Sequence, residues 1–152
     1  LFDQIVNSLM KKVKEFHYTI KGYDKAPSAV SKAKDNIRNA NLEDYVSIAE
    51  DNFFDTEKTS EGKLHMVFNP PYDERLDIHM EEFYKNIGDT LKKSYPGTNA
   101  WFITANLEAL KFVGLKPSRK IKLFNASLEA RLVKYEMYEG SKRTKFQVEN
   151  KN

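Results

Sequence analysis

The segment Leu64-His65-Met66-Val67-Phe68-Asn69-Pro70-Pro71-Tyr72 decides how the rest of the chain is read. Its first five residues form a short apolar run, the pattern of a buried strand. Its last four place an amide, two prolines and an aromatic where that strand ends. In open α/β sheets, ligands bind at the carboxyl ends of strands. Asn69 offers a side-chain carbonyl that can accept one N–H of an exocyclic base amine, and the backbone carbonyl of Pro70 can accept the other. Proline holds φ at about −65° and brings no competing N–H, so the carbonyls keep their direction. Tyr72 offers a face on which a base can stack. Held through both hydrogens, the amine nitrogen can aim its lone pair at an electrophilic methyl group. The plainer reading is a rigid strand-to-loop turn, for which Asn-Pro and Pro-Pro are ordinary signals.

Upstream, Phe2, Ile5, Val6, Leu9, Met10, Val13 and Phe16 recur at helical spacing, which predicts a packing helix over residues 2–16. Residues 18–23 read as a strand ending at Asp24. Pro27 opens a second helix whose inner stripe is Ala29, Val30, Ala33, Ile37 and Ala40. An acid at a strand end in a βα unit can accept ribose hydroxyls, or it can simply cap the helix. Residues 46–49 form the next strand. Asp51, Asn52 and Phe53 follow it, where a polar group could hold an adenine amine and the ring could line its pocket. Alone, that stretch reads equally as an acidic loop with anchoring aromatics.

Downstream, Met80, Phe83, Tyr84, Ile87 and Leu91 mark a third helix. Tyr95-Pro96-Gly97 turns into a strand over residues 99–104, and Gly114 terminates a short helix that follows. Residues 119–124 and 128–138 read as a hairpin around Asn125-Ala126-Ser127. Lys111, Lys116, Arg119, Lys120 and Lys122 form the densest basic cluster, suited to phosphates or to a solvated face. Helices alternating with strands, then a hairpin, predict an α/β fold: a mostly parallel Rossmann-like sheet with an antiparallel end. One domain is expected over residues 1–139, with a polar tail over 140–152.

The chain has 152 residues, net charge +3 and no cysteine. Disulfides, zinc-thiolate sites and iron–sulfur clusters are therefore excluded. His17, His65 and His79 lack metal-ligand spacing, so no metal is expected. No run approaches a membrane span and no signal peptide is present, so the expectation is a cytoplasmic protein without a membrane partner. The first residue is Leu1, as in a piece of a longer polypeptide.

Taken together, Gly22-Tyr23-Asp24, Asp51-Asn52-Phe53-Phe54, Asn69-Pro70-Pro71-Tyr72 with Glu74-Arg75-Leu76, and Leu123-Phe124-Asn125 with Leu128-Glu129 resemble a known family. The chain looks like the later part of the catalytic domain of class I S-adenosylmethionine-dependent RNA methyltransferases. It is most similar to the 23S ribosomal RNA guanine-N2 enzymes that carry a THUMP domain upstream. The resemblance implies S-adenosylmethionine as cofactor and 23S ribosomal RNA as partner. It makes Asp24 the ribose contact, Asp51 or Asn52 the adenine contact with Phe53 beside it, and Asn69 to Tyr72 the base clamp, Asn69 also facing the cofactor. Arg75, Lys116, Arg119 and Lys120 join Tyr72 on the RNA side. Asp73 and Ala126 stand where the family favours glycine. The family's glycine-rich first strand is absent from these residues, so an N-terminal part of the same protein is an expected partner. Its absence implies open edges on the strands ending at Asp24 and Phe68, and an inactive isolated fragment. The competing readings are a non-catalytic RNA-binding or assembly module, and methylation of another exocyclic amine.

Overall fold

The computed structural model describes residues 1–71 and 80–139. Tyr72, Arg75 and the tail 140–152 lie outside the described residues. The chain divides into two compact units, Leu1–Asp55 and Thr56–Asn152.

In the first unit, α1 spans Phe2–Met10, β1 Ile20–Asp24, α2 Pro27–Asn39 and β2 Val46–Glu50, before a 3-10 turn over Phe53–Asp55. Strands β1 and β2 are parallel, with Ile20 opposite Val46 and Asp24 opposite Glu50. Pro27 opens α2 as its position requires, since its missing N–H would have no helical partner there. The expected helix over 2–16 is a correction: α1 stops at Met10 and none of its residues is buried. A helix this short draws its stability mostly from packing. Phe16 instead sets its ring edge-on to Tyr18 and Tyr45, with centroids 5.6 and 5.9 Å away. Those contacts hold residue 16 in the approach to β1 rather than in a helix.

In the second unit, β3 spans Leu64–Phe68, α3 Met80–Ser94, β4 Thr98–Thr104, a 3-10 helix Ala109–Val113, β5 Arg119–Asn125 and β6 Leu128–Glu136. The sheet order is β3-β4-β6-β5. Strand β3 runs parallel to β4, whereas β6 is antiparallel to both β4 and β5. Gly114 ends the 3-10 helix at φ 65°, a left-handed conformation that glycine enters without steric cost. One sheet face carries Ala100, Phe102, Val133 and Tyr135, all buried. Phe102 stacks on Tyr135 at 5.6 Å and meets the edge of Tyr84 from α3 at 6.2 Å. Aromatic pairs of this kind add about 0.5–1.5 kcal/mol each beyond the area they bury. Tyr84, Ile87 and Leu91 of α3 close the core over that face.

Among the described residues, β1 pairs only with β2, and β3 only with β4. No described helix is long and apolar enough to cross a membrane.

Candidate cofactor and base sites

Asp24 is the last residue of β1 and Asp51 the first after β2. The parallel ladder runs one step past the strands, with the Asp51 N–H donating to the Asp24 carbonyl at 3.1 Å. Asp24 is level with Glu50, so Asp51 leaves the neighbouring strand end one residue further on, and both carboxylates are exposed. Asp24 Oδ1 accepts the Ala26 N–H at 2.8 Å, which fixes the turn into α2. Asp51 Oδ1 accepts the Asn52 N–H at 2.8 Å. Each acid keeps its second oxygen uncommitted among the described residues.

Asn52 is engaged differently. Its Nδ2 donates to Asp55 Oδ2 at 2.6 Å, and its Oδ1 accepts the Phe54 N–H at 3.4 Å. The amide clasps the 3-10 turn, a common use of Asn at such a start. That turn sets the half-buried Phe53 and Phe54 rings edge to face at 5.5 Å. Asp24, Asp51, Asn52 and Phe53 therefore share one end of one two-stranded ladder.

In the second unit Asn69 follows the last residue of β3 and is exposed, whereas Pro70 is buried. Phe68, just before them, lies 5.0 Å from Phe102 and ties this strand end to the core. The neighbouring end of β4 is built by residues the sequence reading did not single out. Buried Thr104 Oγ1 meets Tyr84 Oη at 2.5 Å and accepts the Asn106 N–H at 3.0 Å. Asn106 Oδ1 in turn accepts the Ala109 N–H at 3.0 Å. The signal for this turn was the Asn placed three residues ahead of a short helix.

The basic cluster separates into paired and unpaired cations. Lys111 is held by Glu108, and Lys122 by Glu129 at 2.5 Å. Arg131 reaches the same Glu129 at 2.6 Å. Lys122 first, and Arg131 after it, hold that carboxyl below its usual range. Lys116, Arg119 and Lys120 are exposed and carry no ion pair among the described residues. Arg119 stands opposite Lys134 and Lys120 opposite Val133, so alternation puts Arg119 and Lys120 on opposite faces of β5. The structure thus groups Lys120 with Lys122, not with Arg119.

A family profile, UPF0020, RMKL-like methyltransferase domain, matches residues 3–134. Among curated proteins, the chain is similar to the ribosomal RNA large subunit methyltransferase K/L of Syntrophotalea carbinolica. It is 31% identical over 124 residues, which make up 78% of this chain and 17% of that protein. It is 33% identical to the enzyme of the same name from Methylococcus capsulatus, over 78% of this chain and 16% of the relative. The chain thus spans about a sixth of the length of these relatives. Among solved structures, SMU.472 in complex with SAH superposes with a TM-score of 0.79 at 24% identity, over 91% of this chain and 37% of that one. That likeness shows a methyltransferase-type α/β fold shared with far more sequence change than the family match. The chain belongs to the UPF0020 family of RMKL-like methyltransferase domains.

Proposed function

We propose that this chain holds cofactor and base in an S-adenosylmethionine-dependent RNA methyltransferase that modifies the exocyclic N2 amine of a guanine in 23S ribosomal RNA. The observation that carries the reading is the pair of exposed carboxylates, Asp24 and Asp51, one residue apart in level at the ends of adjacent parallel strands, each with an oxygen uncommitted among the described residues. Two acceptors so placed fit a nucleoside: Asp24 the ribose hydroxyls, Asp51 the adenine amine. Asn52 is a positioning residue, because its amide is spent on the turn that carries Phe53. The names of the ribosomal RNA methyltransferase relatives support the substrate class.

S-adenosylmethionine, when bound, supplies a methyl group already activated on a sulfonium. The protein's part is orientation and electrostatics. Asn69 Oδ1 and the Pro70 carbonyl accept the two amine hydrogens and leave the nitrogen lone pair to face the methyl group. Tyr72 stacks on the base, with Arg75 on the RNA strand beside it. A base reached in this way has been splayed out of its helix. The open edges of β1 and β3 each accept a further strand of the same protein, and residues 1–152 by themselves are proposed to be inactive without it.

Two measurements test this. Calorimetric titration with S-adenosylhomocysteine should show affinity lost in Asp24→Ala and Asp51→Ala by roughly 1.5–3 kcal/mol each, and a smaller loss in Asn52→Ala. Equal affinities across the series would refute the cofactor assignment. Mass spectrometry of nucleosides from 23S RNA of a strain carrying Asn69→Ala should show one N2-methylguanosine depleted. Depletion of a different methylated nucleoside would replace guanine N2 as substrate. Intact methylation with RNA still bound would favour a non-catalytic RNA module.

A further inference from the structure

Residues 116–136 contain six cations and two carboxylates, more net positive charge than the whole chain's +3. The remaining residues are therefore slightly acidic. Within this basic hairpin, Phe124 is 63% exposed. Alternation places it on the same face as Lys120 and Lys122, at steps of roughly 6.6–6.8 Å along β5. Lys122 Nζ sits 5.1 Å from the Phe124 ring centroid, so a cation rather than an apolar side chain attends the ring. On the facing strand Val133 is buried on this side of the sheet, whereas Lys120, Lys122 and Phe124 are not. Among the described residues, no helix buries this face of β5.

The register fixes which end of the sheet this is. Phe68, Phe102, Val133 and Lys120 are level across β3, β4, β6 and β5. Strand β5 runs in the same direction as β3. Phe124 lies four residues beyond Lys120, roughly 13 Å past that level, on the end where Asn69 emerges.

We infer that the exposed face of β5 near the hairpin turn is a stacking platform for single-stranded RNA flanking the target nucleotide. A base lies on Phe124, with phosphates on Lys120 and Lys122. The composition is that of a single-strand site, an aromatic face among cations. Lys122 beside the ring is shared with Glu129, whereas Lys120, two residues along the same face, carries no ion pair among the described residues, which an apolar protein partner would not explain. The inference rests on reading Asn69 as the base clamp, which fixes the end of the sheet where RNA arrives.

The test is fluorescence anisotropy with a labelled, mixed-sequence single-stranded RNA 12-mer and the matching duplex, without S-adenosylmethionine. Phe124→Ala should weaken single-strand binding about 5- to 150-fold at an unchanged salt slope. Phe124→Tyr should bind as the native protein does. Lys120→Gln should reduce the slope of log Kd against log salt by about 0.7. A 4-thiouridine RNA should crosslink to the peptide containing Phe124. Unchanged affinity in a folded Phe124→Ala, crosslinks elsewhere only, or preference for the duplex each overturn the platform. In the full-length protein, RNA bound through Phe124 with nothing methylated would sink the methylation reading alone. Methylation with Phe124→Ala binding RNA normally would sink the platform alone.

Discussion

Gly88→Ala should destabilise the protein, although it replaces a poor helix former with the best one. On an exposed helix that change would stabilise by about 0.8–1.0 kcal/mol. Gly88 lies instead on the buried stripe of α3 with Tyr84, Ile87 and Leu91. A Cβ there would stand 1.8 Å from the carbonyl oxygen of Val113 and 2.8 Å from its carbon. Carbon and oxygen make close contact at about 3.3–3.6 Å, so helix and 3-10 segment would have to part by roughly 1.5 Å. A gap of about 0.5–1 Å already forfeits a quarter to a half of the dispersion well. The side chains at this seam are Ile87, Leu91 and Val113, each worth about 1.5–3 kcal/mol when fully buried. Losing about half of that and regaining the helix propensity leaves a net cost of roughly 1–4 kcal/mol, comparable with the usual cost of overpacking. The melting temperature should fall by about 3–15 °C. Calorimetry and urea titration measure it, with Asp89→Ala on the exposed side of the same helix as control, expected within about 0.5 kcal/mol. A Gly88→Ala protein that melts at or above the native temperature would refute the close approach.

Burial first, and Tyr84 second, push the Tyr135 phenol up to about 12. The unfolded chain ionises near pH ~10, so stability should be intact below that pH and fall by roughly 2–3 kcal/mol as pH rises to about 12. Tyr135→Phe should abolish this part of the decline in urea titrations at pH 9 and 11.5. It should cost little at pH 8, because the hydroxyl is buried without a hydrogen-bond partner among the described residues. Ala126 sits at φ 53° in the two-residue hairpin turn. Ala126→Gly should therefore raise stability by about 0.5–1 kcal/mol, read from the same titrations, as left-handed strain is relieved against glycine's entropy. Asn69→Ala should lower the methylation rate by roughly 2.7–4 kcal/mol of barrier with cofactor affinity unchanged. Single-turnover assays decide, and a native rate would remove Asn69 from the clamp.

Elements whose apolar period is met by a partner were legible from the residues. Strand β3 lies at the expected residues, but its expected full burial is a correction: Leu64, Met66 and Phe68 are half-buried, whereas His65 and Val67 are exposed, because the apolar run has cover on one face only among the described residues. The third helix buries Tyr84, Ile87 and Leu91 as its spacing requires. The first helix failed because periodicity records which face is apolar, not whether anything covers it. Gly88 was invisible for a related reason: the carbonyl that excludes a side chain comes from a segment 25 residues away. Strand-end logic put Asp24 and Asp51 at the ends of two strands, and those strands pair in parallel with Asp24 opposite Glu50, one residue before Asp51.

What residue types alone left open was the choice between Asp51 and Asn52 for the proposed adenine contact. Both offer an acceptor, and both stand at the same strand end. The difference lies in what each oxygen already does. The Asn52 amide spends a donor and an acceptor within its own turn, whereas Asp51 commits one oxygen of two. Exchanging their roles would uncouple the turn that holds Phe53, so a carboxylate followed by a clasping amide serves this site better than the reverse order. Asn52→Asp tests that order. It adds an acceptor but removes the Nδ2 donor to Asp55 and sets two carboxylates together. Cofactor affinity should therefore fall, and a gain in affinity would return the adenine contact to position 52.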